Sequence, residues 1–189
     1  MRRESAEKQF TFTATYQAES AYQLSDLQPF EVDLLKRVIQ IAWEARTGGN
    51  HPFGCLLADA QGNVLMEQGN EEVDLGGDCT AHAETLLMRK ASQKYSKEEM
   101  GKLTMYNCGE PCAMCAGAMY WGNLGRLVFI GRESELKKVT GNDMRNPTLD
   151  LPCRVVFSRG QKEMEILGPY LELEPELMKV HENYWKPTK

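Results

Sequence analysis

From residue 32 the apolar positions return at helical spacing. Val32, Leu35, Val38, Ile39, Ala42 and Trp43 share one face, which predicts an amphipathic helix over Glu31 to Arg46. Thr47-Gly48-Gly49-Asn50 stops it. The period then shortens. Phe53 to Asp59 and Asn63 to Gln68 read as strands on either side of Ala60-Gln61-Gly62, a hairpin. Gly69 to Thr80 is loop, and Thr85-Leu86-Leu87-Met88-Arg89-Lys90-Ala91 returns to the helical pattern. Leu103 to Cys108 reads as a third strand and Arg126 to Gly131 as a fourth, with a helical stretch through Ala113-Met114 and Ala116-Gly117-Ala118-Met119 between them. Beyond lie a short helix over Glu133 to Val139, a fifth strand or a piece of loop over Arg154 to Ser158, an extended segment over Met164 to Leu167, and a final helix over Glu174 to Trp185. Strands alternating with helices after an initial hairpin predict an α/β fold, a three-layer α/β/α sandwich on a mixed sheet.

The first residues fit that pattern poorly. Phe10-Thr11-Phe12-Thr13-Ala14-Thr15-Tyr16 alternates aromatic and polar side chains like an edge strand, and reads equally as an arm on a partner subunit or a loosely packed extension. Residues 1–29 are therefore set apart as an N-terminal extension, and 30–189 as a single domain. Hydrophobic residues at 42% and charged residues at 26% are ordinary for a globular protein. The net charge of -5 argues against nucleic acid as an obligate partner. No apolar run approaches the roughly 18 residues of a membrane span, and no signal core follows Met1-Arg2-Arg3-Glu4. The expectation is a cytoplasmic protein in which Cys55, Cys108 and Cys153 are buried free thiols.

Chemistry concentrates between Cys79 and Trp121. His82-Ala83-Glu84 is followed, about thirty residues on, by Pro111-Cys112-Ala113-Met114-Cys115. His82, Cys112 and Cys115 suit one Zn²⁺ per chain and leave a fourth tetrahedral position for water, the mark of a catalytic rather than structural zinc. Such a metal lowers the pKa of bound water to roughly 7. Glu84, two residues from the histidine, is then the acid–base group for exchanging a ring amine for oxygen. Pro111 suits a first helical turn, and a helix N-terminus favours the thiolate form of the cysteines beside it. A Cys-x-x-Cys alone fits a structural zinc knuckle or a redox pair. The first needs a fourth ligand, for which His51 and His181 are the remaining histidines; the second has no use for His-x-Glu.

Neighbouring residues invite lesser roles. Phe53, in His51-Pro52-Phe53-Gly54, reads as a pocket wall or as plain core, and Gly54 permits close backbone approach. His51 reads as a solvated loop residue. Thr80, Ala81 and Ala83 flank the ligand and offer backbone contacts. Trp121 reads as a surface for stacking on a heterocycle, or as core packing.

Taken together, Pro52-Phe53-Gly54, Thr80-Ala81-His82-Ala83-Glu84 and Gly109-Glu110-Pro111-Cys112-Ala113-Met114-Cys115-Ala116-Gly117-Ala118 resemble the cytidine-deaminase-like superfamily. The motifs are most similar to its branch of bacterial guanine and tRNA adenosine deaminases, with Tyr120-Trp121 on the guanine deaminase side. The resemblance implies a five-stranded core and a zinc-dependent hydrolase acting on a small free heterocycle, guanine first, with tRNA adenosine, cytosine or a nucleoside as alternatives. It implies a base contact from the loop ahead of His82, where counting gives Asn70 or Glu71, and one acidic residue after the fourth strand, Asp143. It also implies a homodimer whose C-terminal segment, through His181, Tyr184 and Trp185, covers an active site, its own or its partner's. Tails of tRNA-editing relatives are often basic. From Gly160 onward this one carries six glutamates against four lysines, so no nucleic-acid partner is expected.

Overall fold

The computed structural model describes residues 22–185; the Phe10–Tyr16 strand expectation lies outside them. After a short 3₁₀ turn over Leu24–Asp26 comes α1 (Pro29–Thr47), which starts on Pro29 and a Gln28/Glu31 capping box. Its buried face holds Leu35, Val38, Ile39 and Ala42, as the spacing predicts, together with Leu34 and Ile41; of the other predicted positions Val32 is half-buried and Trp43 is exposed. The hairpin β1 (Gly54–Ala58) and β2 (Val64–Gly69) pairs Gly54 with Gly69 and shifts register between Leu57 and Ala58. The Asp59 carboxylate closes its turn by accepting from the N–H groups of Gln61 and Asn63, both at 2.9 Å.

The chain continues through α2 (Ala83–Lys94), the short α3 (Lys97–Met100), β3 (Thr104–Gly109), α4 (Ala113–Trp121), β4 (Arg126–Gly131), α5 (Glu133–Thr140), α6 (Cys153–Phe157), β5 (Glu165–Leu167) and α7 (Glu174–His181). The strands form one mixed sheet in the order β2-β1-β3-β4-β5, with β1 antiparallel to both neighbours and β3, β4 and β5 parallel. Period-two alternation splits its side chains into two cores. Leu56, Tyr106, Val128 and Ile130 face α1 and α7, whereas Leu57, Met105, Leu127 and Phe129 face α2, α4 and α6. This is the predicted α/β/α sandwich.

Three expectations change. Arg154–Ser158, expected as strand or loop, is the body of helix α6 with Ser158 as its C-cap. The run Val155-Val156-Phe157 favours a strand locally, but Pro152 caps a helical turn and the i,i+4 pair Cys153 and Phe157 is buried together. The last helix ends at His181, not Trp185: residues 182–184 turn, with Asn183 at φ 56°, and fold Tyr184 and Trp185 back over the domain. Helix α3 was unforeseen, although its Ser96/Glu99 capping box is written in the sequence as Ser-x-x-Glu.

Gly54 is forced by packing. A Cβ there would sit 2.7 Å from both the Ala42 nitrogen and Ile41 Cγ2, so α1 lies directly on the start of β1. Gly54→Ala is expected to cost about 1–3 kcal/mol by overpacking. In a thermal melt that is a fall in Tm of about 3–10 °C; an unchanged Tm would contradict this contact.

Candidate active site

Two helix N-termini meet over the ends of β3 and β4. His82 is the N-cap of α2, and Glu84 sits in its first turn. Cys112 is the N-cap of α4, and Cys115 lies in that helix's first turn. Both thiols therefore lie at the positive end of a helix dipole. His82 Nδ1 is 3.7 Å from Cys112 Sγ and 3.5 Å from Cys115 Sγ, and the two sulfurs are 3.6 Å apart. A tetrahedral zinc with Zn–S of about 2.3 Å and Zn–N of about 2.1 Å separates sulfurs by about 3.8 Å and sulfur from nitrogen by about 3.6 Å. The three edges fit that ion, and among the described residues these three side chains are the group that can hold a metal.

Electrostatics agree with the geometry. The hydrogen bond from Cys115 pulls the Cys112 thiol down to about 4, and His82 adds to this against burial. Cys115 moves up, because it keeps the shared proton and is buried. Burial disfavours a charged His82, yet the Cys112 contact and the Glu84 carboxylate raise it to about 9. The cluster thus carries thiolate character even without a metal. Glu84 is only 8% exposed. Its Oε1 accepts from Asn107 Nδ2 at 2.8 Å, and its Oε2 lies 3.5 Å from Cys115 Sγ. Asn107 also donates to the Gly109 carbonyl at 2.7 Å, which ties the Glu84 carboxylate to β3.

His82, Glu84 and Cys112 line a cavity of about 420 Å³. Phe53, Glu72, Cys79, Cys108 and His181 share its wall with Glu110, Arg132, Glu133 and Arg145. Met114, Leu136, Met144, Leu149 and Met178 supply its apolar part. Glu110 braces the site: its two carboxylate oxygens accept from Cys153 N at 2.9 Å and Glu133 N at 3.4 Å, joining the zinc loop to the starts of α6 and α5. Burial, with Cys112, Glu84 and Glu110 nearby, pushes Glu133 up to about 8.

The residues expected at the pocket fare unequally. Phe53 and His181 line it. His181 ends α7, which packs on α1 and β4 beside the cavity. Tyr184 and Trp185 stand behind this wall: Trp185 is stacked on His181 at 6.1 Å between ring centroids, and Tyr184 Oη lies 2.9 Å from His51 Nδ1. Burial and Arg46 push His181 down to about 4. Its Nδ1 accepts from Trp185 Nε1 at 3.1 Å, so Nε2 carries the proton of the neutral ring. His51 is buried, not solvated, held between Tyr184 and Glu72.

Asn70 is 2% exposed, and its Oδ1 accepts from the N–H groups of Glu72 at 3.0 Å and His51 at 3.4 Å. Its Nδ2 has no hydrogen-bond partner among the described residues. Glu71 instead accepts from Gln68 Nε2 at 2.7 Å and lies 3.8 Å from Lys90 Nζ, away from the cavity. Ala83 is sealed in the core beneath α2 and is not on the wall. Asp143 is also off the wall: its carboxylate is bound to Arg145, with Nη2 to Oδ2 at 2.6 Å, and Arg145 is the residue that reaches the cavity. Trp121 is 74% exposed at the outer end of α4 and touches neither the core nor the cavity. Glu133, Asn107 and Arg145 were not singled out by sequence; their roles depend on which strand ends and loops converge.

Residues 30–131, just over half of the chain, match the family described as "Cytidine and deoxycytidylate deaminase zinc-binding region". The chain belongs to this family of zinc-binding deaminases. A "Probable cytosine deaminase" from Schizosaccharomyces pombe is 33% identical over 161 residues, which is 85% of this chain and 96% of that protein. A "tRNA-specific adenosine deaminase" from Haemophilus influenzae is 32% identical over 100 residues, 53% of this chain and 57% of that one. The solved guanine deaminase from Nitrosomonas europaea superposes with a TM-score of 0.66 at 19% identity, over 87% of this chain and 86% of that one, a likeness of fold. Family membership makes zinc the cofactor, and His82, Cys112 and Cys115 are its candidate site. Among the described residues no helix is long and apolar enough to cross a membrane.

Proposed function

We propose that the chain is a hydrolytic deaminase of a free amino-heterocycle of nucleobase size, with Glu84 as its catalytic acid–base residue. The observation that carries this reading is the Glu84 carboxylate, buried at the cavity wall, held by Asn107 and set 3.5 Å from Cys115 of the metal cluster. Zinc, when bound, supplies a water activated at neutral pH. Glu84 takes the proton of the attacking water and delivers it to the ring nitrogen beside the reacting carbon. As the C–O bond forms and the C–N bond breaks, it passes a second proton to the amine, which leaves as ammonia. Asn107 keeps one carboxylate oxygen in place through both transfers.

The motif resemblance favours guanine, and similarity along nearly the whole length of the S. pombe protein favours cytosine. A tRNA substrate fits the cavity less well. Its wall carries Glu72, Glu84, Glu110 and Glu133, while its arginines are engaged, Arg145 by Asp143 and Arg132 by Glu135 and Glu174. Phosphate contacts need available cations. Asn70 is, like Glu71, off the cavity wall, but its buried Nδ2 is unpaired, and it is the base contact we retain over Glu71. The exposed Trp121 and Met114 on α4 are the surface we assign to a homodimer, and the free thiols outside the metal cluster, Cys55, Cys79, Cys108 and Cys153, suit a reducing cytoplasm. The test is ammonia release from cytosine, guanine and adenine beside inosine formation in a tRNA anticodon stem-loop at low salt. Ammonia from a free base supports the reading; inosine in the stem-loop without ammonia from any base overturns it.

A further inference from the structure

Glu133 is the one acidic side chain on the cavity wall for which neither the fold nor the proposed proton transfers supply a purpose. It opens α5, directly after Gly131 ends β4, one strand further along the sheet than the cysteines that follow β3. It is 7% exposed, yet its carboxyl group borders the cavity. Among the described residues no hydrogen bond or ion pair of that carboxyl group is found; only its backbone N–H is bound, to Glu110. The other wall carboxylates are occupied: Glu84 by Asn107, Glu110 by Cys153 N, Glu72 by His51. The carboxyl oxygens of Glu133 are not among the sealed, unpartnered side-chain atoms, so they open on the cavity, where a ligand's donor can reach them.

We propose that Glu133 is a specificity-determining residue that accepts a hydrogen bond from the substrate's ring N–H on the edge across from the departing amine. Building on the deaminase reading above, this places the reacting edge at Glu84, on α2, and the opposite edge at β4. In cytosine and guanine that far N–H is the one a nucleoside replaces with its sugar. Glu133 therefore selects free bases over nucleosides, because a sugar both removes the donor and leaves the carboxyl group buried and unpaired.

The test is a binding cycle that needs no turnover. Calorimetry on zinc-loaded Glu84→Gln protein compares cytosine with 1-methylcytosine and guanine with 9-methylguanine. Adding Glu133→Leu is expected to weaken binding of the unmethylated base about 3–10-fold, the range for a hydrogen bond to an uncharged group. Adding Glu133→Gln, which keeps an acceptor and the side-chain shape, is expected to weaken it by a smaller factor. Neither change should alter the Kd of the methylated partner by more than about twofold. Equal losses on methylated and unmethylated bases, no loss on either, or failure of every base to bind the parent protein would each overturn the assignment. Ammonia release by the protein with Glu84 intact is measured separately, so a failure of the deaminase reading is told apart from a failure at Glu133.

Discussion

Glu84→Gln is expected to lower kcat by about 10²–10⁴-fold, toward the upper end because one carboxyl group serves two proton transfers. The substitution preserves shape and one acceptor oxygen, so the 2.8 Å bond from Asn107 Nδ2 survives with the amide oxygen turned toward it. What is lost is a group that both takes and gives a proton. Glu84 is not among the three metal-holding side chains, so zinc content should stay at one per chain. The measurement is steady-state ammonia release beside metal analysis of the same sample. Retention of more than about a tenth of wild-type kcat would remove Glu84 from the acid–base role, since even the low end of the range is a hundredfold loss. Loss of zinc together with activity would mean that the carboxyl group supports the metal site instead.

Cys112→Ser is expected to strip the protein of most of its zinc and abolish activity. A hydroxyl is a poor replacement for a thiolate, and only His82 and Cys115 remain of the cluster. The thiol is held down to about 4 by Cys115 and His82 and faces the metal position from an N-cap, which favours the thiolate form that binds metal. Metal analysis after dialysis checks this, with circular dichroism as the control for folding. Both cores are packed independently of the cluster, so secondary structure should persist. Full zinc occupancy in this variant would contradict the assigned ligand set.

Much of this was readable from residues alone, for identifiable reasons. The pairs Leu56/Leu57, Tyr106/Met105 and Val128/Leu127 alternate between two faces, so strands covered on both sides were visible as continuous apolar runs. The metal cluster was visible because its spacing is local: His82 and Glu84 share one helical turn, and Cys112 and Cys115 another. The rest of the pocket depends on contacts between distant segments. Glu133 reads in sequence as an ordinary acidic first turn of a helix, and only convergence of β4 with the zinc loop buries it. The resemblance makes Asp143 an acid at the site, and it is instead bound by Arg145 two residues on. Trp121 reads as a stacking surface, but its place at the end of α4 turns it outward. Cys153–Phe157 has strand-like composition and helical burial, a case of tertiary packing overriding local propensity.

The central claim, hydrolytic deamination of a free base at the His82–Cys112–Cys115 site, is tested most directly by incubating zinc-loaded protein with cytosine and with guanine in ¹⁸O-water. The account predicts one ammonia released per base converted, with one ¹⁸O atom at the carbon that lost its amine, and neither product from protein dialysed free of zinc. No ammonia from either base, or ammonia without ¹⁸O in the product, would contradict it.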